Sequence, residues 1–470
     1  MLFDTFQYWV FFAGALLLLA MLRDHPAKIA LVVLSFVFYG FWDWRFCLLL
    51  AGSIAANYFF GRAIDAREGA SRKRAVALAV AFNLAVLAFF KYANFFVDSF
   101  AALFGLDPSG MLLNIVLPVG ISFFTFEGIA YAVDIYRRQL KAVRDPVDFS
   151  LFISFFPHLV AGPIIRPMDF FPQLAQRPAI TSEDSRWGMR EILKGLIKKV
   201  ALANWFAPIA DAWYSGGQYD GAAVPAYAGV LAFSMQIYFD FSGYTDIARG
   251  CARLLGYRFP PNFERPYLSA NITEFWRRWH ISLSFWLRDY LYISLGGNRV
   301  SVPRMYLNLL IVMGLGGLWH GASWNFAVWG LYHGFLLIGH RLWRRFVEAR
   351  GIAGFVDAKW FAPVWVAFTF VIVTLGWIPF RAPDFASSWN TLSALFAPQD
   401  PAFALAHPAL WGVPLVTLAF CLVDRDRRVQ DWLTQRASLP VAALAGALAL
   451  LFLELFAQVE TQVPFVYFQF

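Results

Sequence analysis

"GGLWHGASWNFAVWGLYHG", residues 316–334, sets two histidines, a serine, an asparagine and a tyrosine among apolar residues and glycines. The stretches around it, near 305–319 and 323–340, both read as membrane spans. Ionisable side chains are costly in hydrocarbon, and where they occur they face a bundle interior, a partner or a reaction path. The question is what an imidazole does at His320, where Gly321 opens a break between two spans.

The whole chain answers the question of solvent. Of its 470 residues 59% are hydrophobic and 15% are charged, with a mean hydropathy of +0.54. A soluble domain carries roughly 25% charged residues. Apolar runs long enough to cross a bilayer recur from end to end and lack the alternation of barrel strands. The fold class is therefore an all-α polytopic integral membrane protein. The net charge of +8 comes from short clusters between the runs, including 62–74, 137–144, 186–199, 341–350 and 424–436. That is the pattern of cytoplasmic loops, not of a nucleic-acid surface.

Candidate spans lie near 6–22, 29–60 as a pair, 75–90, 113–136, 200–214, 223–241, 305–319, 323–340, 361–380, 408–423 and 440–457. The first has its positive charge after the apolar run, at Arg23 and Lys28, so it reads as an uncleaved span with its N-terminus outside. Following the basic clusters puts the tail 458–470 outside as well. Two regions are not simple spans. Residues 150–174 are broken by Pro157, Pro163 and Pro167 and read as re-entrant. Residues 262–299 mix aromatics with arginines and read as interfacial helices. No repeat or low-complexity tract divides the chain, which reads as one membrane domain over 1–470. Cys47, Cys251 and Cys421 are far apart and form neither a disulfide framework nor a metal pattern.

Several chemistries are absent from the sequence: HExxH, GxSxG, a P-loop, HxxxxD, and paired histidines at metal-ligand spacing. What remains is a histidine base with a hydroxyl acceptor. The residues alone leave two readings of His320: a helix-bridging group, or a base at mid-membrane. His280 sits near Arg277, Arg278 and Arg288. Those arginines suit either an interfacial anchor or a polyanion site for a phosphate-bearing donor. Asp240 and Asp246 are candidate caps or partners of Arg249 and Arg253. Glu127 and His158 are polar groups in apolar surroundings.

The run "FWRRWHISLSFWLRDYLYISLGGNR" (275–299), followed by "GLWHGASWNFAVWGLYHG" (317–334), closely resembles the membrane-bound O-acyltransferase family. The likeness is greatest to its bacterial branch, which acetylates exported polysaccharides. "FFPHLVAGPIIRP" (155–167) and "FDFSGYTDIARG" (239–250) extend it along nearly the whole chain. One departure is Ser294, where that branch usually carries proline.

The resemblance implies a bowl of tilted transmembrane helices with re-entrant and interfacial helices around a thin centre, in the bacterial inner membrane. It implies acetyl-CoA as acyl donor from the cytoplasm, with no permanently bound cofactor and no metal. His320 matches the family's catalytic histidine and His280 its second, more cytoplasmic polar position. Arg277, Arg278 and Arg288 are the candidates for the donor's phosphates, and Asn325 or Ser323 for holding the His320 tautomer. Expected partners are membrane lipids, an exported polysaccharide and an extracytoplasmic SGNH-type acetyltransferase.

The tail "PFVYFQF" (464–470) places Phe465, Tyr467 and Phe470 like the FxYxxF end of a small peptide that accompanies D-alanyl transferases. By that likeness Tyr467 is expected to carry the acetyl group in a relay. The rival activities are D-alanyl transfer to teichoic acid-type polymers and transport of a lipid-linked sugar without chemistry.

Overall fold

The computed structural model describes residues 1, 3, 5–175, 179–218, 223–398 and 408–425. Tyr467, the rest of the 458–470 tail and the expected 440–457 span lie outside them. The regular structure among the described residues is all helix, without a strand, and the chain is a polytopic membrane protein. Asp24–Asp43, Arg45–Asp65, Gly69–Phe104, Val302–His320 and Ala362–Arg381 are each long and apolar enough to cross a membrane, and Phe6–Met21 is a shorter apolar helix.

The helices differ from the sequence expectation in instructive ways. The expected pair at 29–60 divides at Trp44, whose neighbours Asp43 and Arg45 form a 2.6 Å ion pair at the turn. The 75–90 expectation grows to Gly69–Phe104, because the basic run at its start is itself helical and a π-turn at Ala88–Tyr92 carries the helix onward. The 113–136 expectation shortens to Ile121–Tyr136, since Gly120 takes φ +78, a left-handed conformation suited to glycine.

Contacts divide the chain into two compact units. The first takes Met1–Ile192 and Tyr244–Pro260. Its broken stretch, the expected re-entrant segment, forms the short helices Pro146–Ser154, Phe156–Leu159 and Pro167–Ala175. Residues 151–165 are buried without exception. Irregular backbone survives at membrane depth only where protein surrounds it. Two groups that looked unrelated in the sequence meet here: Glu127 and His158 pair at 3.1 Å, both buried. Arg249 bridges Glu191 at 2.8 Å and Asp246 at 3.7 Å, and Arg253 holds Asp184 at 2.5 Å.

The second unit takes Leu193–Gly243 and the described residues from Pro261 onward. Here Asp240 pairs with Lys199 at 2.6 Å, a partner the sequence did not suggest. The central packing is between the Val302–His320 and Trp324–Ala349 helices. A Cβ at Gly317 would collide with the Phe326 carbonyl oxygen, and one at Gly330 with that of Met313. Gly317 and Gly330, on opposite faces of the crossing, therefore let the two helices approach closely.

A matched pair of variants tests this packing. Gly330→Ala must displace backbone, and overpacking typically costs about 1–3 kcal/mol. Gly339 lies on the same helix with open space where a Cβ would go, so Gly339→Ala should gain up to ~1 kcal/mol of helix propensity. Thermal unfolding of the detergent-purified protein, followed by tryptophan fluorescence, should show the midpoint falling for the first variant and holding or rising for the second.

Candidate active site

His280 stands at a break between two short helices, Ile272–Arg278 and Ile281–Trp286. Its backbone is left-handed, at φ +43, which is costly for a residue with a Cβ. Such strain persists where the surroundings over-determine it, and it clusters at functional sites. Asn262 is what holds it. The Asn262 side-chain oxygen accepts from the Ser282 backbone N–H at 3.0 Å, the Ser282 hydroxyl at 2.9 Å and His280 Nδ1 at 3.3 Å. The Asn262 carbonyl accepts from the Ile281 N–H at 2.9 Å. With Nδ1–H donating to Asn262, the lone pair of the His280 ring is on Nε2.

His320 closes the Val302–His320 helix, and Gly321 leaves it in extended conformation. The structure brings the two histidines together: their ring centroids are 6.4 Å apart and both are buried. Aromatic walls seal the place. Trp319 and Trp329 lie 5.0 Å from the His320 ring and Phe380 5.2 Å, while Phe241 stands 4.7 Å from His280. Burial of this kind strengthens every electrostatic interaction inside the site and protects a reactive intermediate from hydrolysis.

A third histidine belongs to the same walls and was not singled out from the sequence. His333 is fully buried, 4.9 Å from Trp329 and 5.1 Å from Trp276. Its signal was present: Trp329 and His333 are four residues apart on one helix and so share a face. Gly376 gives it room, since a Cβ there would approach His333 Nε2 to 3.0 Å. Asn262 had no comparable signal, because it reaches His280 from 18 residues away.

The groups suggested for the His320 tautomer have other bonds. The Asn325 amide donates to the Ala382 carbonyl at 2.8 Å, and Ser323 caps the next helix by accepting from the Asn325 N–H at 3.3 Å. The three arginines separate. Arg278 pairs with Glu274 at 2.5 Å, and Arg288 with Asp289 at 2.7 Å while lying over the Phe285 ring. Arg277 lines a cavity of about 430 Å³ with Arg341 and Arg345. Ser294 replaces the usual proline without loss of order: its hydroxyl donates to the Tyr290 carbonyl at 2.7 Å, continuing the helical turn.

Comparison with known proteins matches residues 137–378 to the model of MBOAT, the membrane-bound O-acyltransferase family. The chain is 44% identical over 385 residues to a probable alginate O-acetylase AlgI of Azotobacter vinelandii, covering 80% of this chain and 74% of the relative. It is 32% identical over 498 residues to a peptidoglycan O-acetyltransferase of Helicobacter pylori, covering 94% and 91%. A teichoic acid D-alanyltransferase of Bacillus subtilis (strain 168) is 28% identical over 295 residues, covering 58% and 70%. The matched range includes His280, His320, His333, Trp319 and Trp329, and ends just before Phe380.

Proposed function

The chain belongs to the membrane-bound O-acyltransferase family and is an acyltransferase, and we propose that it moves acetyl groups from acetyl-CoA across the bacterial inner membrane to O-acetylate an exported polysaccharide. The observation that carries this reading is the buried pair of histidines, 6.4 Å apart at the end of a membrane helix. An imidazole has an unperturbed pKa near 6.5, matched to base chemistry at neutral pH.

In the mechanism, acetyl-CoA enters from the cytoplasm and its thioester reaches the histidine pair. His320 takes the proton of the acyl-accepting hydroxyl as that oxygen attacks the thioester carbonyl, and coenzyme A leaves as the thiol. His280, held by Asn262, positions the donor end of the site. The first acceptor is the phenol of Tyr467, and the resulting aryl ester then acylates an acceptor beyond the membrane. That acceptor is an SGNH-type acetyltransferase or the polymer itself. The relay requires the 458–470 tail to lie on the outer side of the membrane.

The donor's phosphates meet Arg278 and Arg288. Arg288 is exposed, and a surface pair like its pair with Asp289 is worth only about 0–1 kcal/mol, so exchange for a phosphate is cheap there, whereas Arg278 and Glu274 are half-buried. Arg277 opens instead on the cavity it shares with Arg341 and Arg345.

Acetyl rather than D-alanyl transfer is supported by the higher identity and coverage of the two O-acetylating relatives. The test is to give the purified protein, reconstituted in vesicles, acetyl-CoA labelled in the acetyl group. The expected result is release of free coenzyme A with label on the protein or on an added acceptor. Combined Arg278→Gln and Arg288→Gln should weaken donor binding more at low salt than at high salt, because phosphate attraction is screened by ions. A protein that moves a lipid-linked sugar gives neither thiol release nor transfer, and that result ends this reading.

A further inference from the structure

Arg277, Arg341 and Arg345 converge on the 430 Å³ cavity, and no carboxylate lines it. Among the described residues none of the three has an acidic partner. Arg341 contacts the Met305 sulfur and Arg345 the Tyr306 hydroxyl. Arg344, at the same cavity, is already neutralised by Asp357 at 2.6 Å. Three uncompensated guanidinium groups around one hollow make a site for an anion, and their fork geometry suits phosphate.

A second cavity of about 780 Å³ adjoins this one and shares His340 and Arg344 with it. Its walls are mostly apolar and aromatic, from Phe335, Leu336, Trp343, Trp365 and Phe368, with the paired Arg344 and Asp357 also on its lining. Phe335 is 60% exposed and Phe368 54% exposed, so the hollow opens on the surface that faces lipid. Depth agrees with this. Arg341 follows Trp329 by twelve residues, about 18 Å along the helix at 1.5 Å per residue. Half of a hydrocarbon core is about 15 Å, so the arginines sit at headgroup level when the histidine pair is at mid-membrane. The 341–350 cluster marks that level as cytoplasmic.

We propose that the two joined cavities bind one anionic phospholipid of the cytoplasmic leaflet, with its phosphate on Arg277, Arg341 and Arg345 and an acyl chain in the apolar cavity. Basic pockets between membrane helices on that side are suited to anionic headgroups. The acyl donor fits less well, because its pantetheine amides would be buried against hydrocarbon walls, and burying an amide without a partner is costly. The site is separate from the acetyl-transfer chemistry and shares with that reading only the placement of the histidine pair at mid-membrane.

The experiment uses the full-length protein delipidated in detergent and a fluorescent short-chain phosphatidylglycerol as probe, with native mass spectrometry to count retained lipids. Wild type should bind one probe. Each basic group near a headgroup contributes about 1 kcal/mol, so Arg341→Gln with Arg345→Gln should weaken binding roughly 30-fold. Arg350→Gln, just past the end of the same helix and outside the cavities, should bind as wild type does. Gly339→Leu fills open space on the apolar wall without touching a charge. It should weaken the probe too, and it decides the matter if the double variant does not fold. Equal binding by Gly339→Leu and wild type, or by the double variant and Arg350→Gln, overturns the proposal. Displacement of the probe by acetyl-CoA also overturns it, because the phosphate on the arginines is then the donor's.

Discussion

His320→Ala should lower acetyl transfer by about 10²–10⁴-fold, the usual contribution of a positioned general base, while the protein still inserts in the membrane and still binds acetyl-CoA. The ring is the last residue of a membrane helix, buried among Trp319, Trp329 and Phe380, with the His280 ring 6.4 Å away. Removing it takes away the proton acceptor and leaves the aromatic walls, which are supplied by other positions. The measurement is label transfer per mole of protein, alongside donor affinity on the same preparation. Normal transfer by a variant present at wild-type level would remove His320 from the catalytic assignment. His280→Ala belongs in the same experiment. Weaker donor binding with little change in turnover fits a positioning role for His280, whereas lost turnover at unchanged affinity makes it a second catalytic group.

Tyr467→Phe should abolish acetylation of the extracytoplasmic acceptor and leave acetyl-CoA binding unchanged. The substitution keeps the aromatic ring and deletes one oxygen, so only chemistry at that oxygen is lost. A phenol has a pKa near 10 and needs a base to become a nucleophile at neutral pH, which is the role given to His320. Its ester is activated for onward transfer, since the phenolate is a better leaving group than an alkoxide. Intact-mass analysis of wild type given acetyl-CoA should show one acetyl adduct on the C-terminal peptide, absent from the Tyr467→Phe variant. A fully active Tyr467→Phe protein sinks the relay and leaves direct transfer at the histidines.

The sequence by itself determined the solvent and the elements. A hydropathy of +0.54 with basic residues gathered between apolar runs admits only a helical membrane protein. Motif likeness over 275–299 and 317–334 named the family and two of its polar positions. These are local properties, carried by composition and by short runs of the chain.

The tertiary structure decided what no local run contains. His280 and His320 are 40 residues apart, and only the packing of the second unit sets their rings side by side. Asn262 became the clamp of His280 because the chain turns back on itself there, and a lone asparagine carries no sign of that. His333 joined the walls through the face it shares with Trp329. Among three neighbouring arginines, Arg278 and Arg288 found carboxylates while Arg277 turned to Arg341 and Arg345. The physical reason is the same in each case. Burial and charge pairing depend on which distant groups approach within a few ångströms, and a sequence fixes that distance only through the fold.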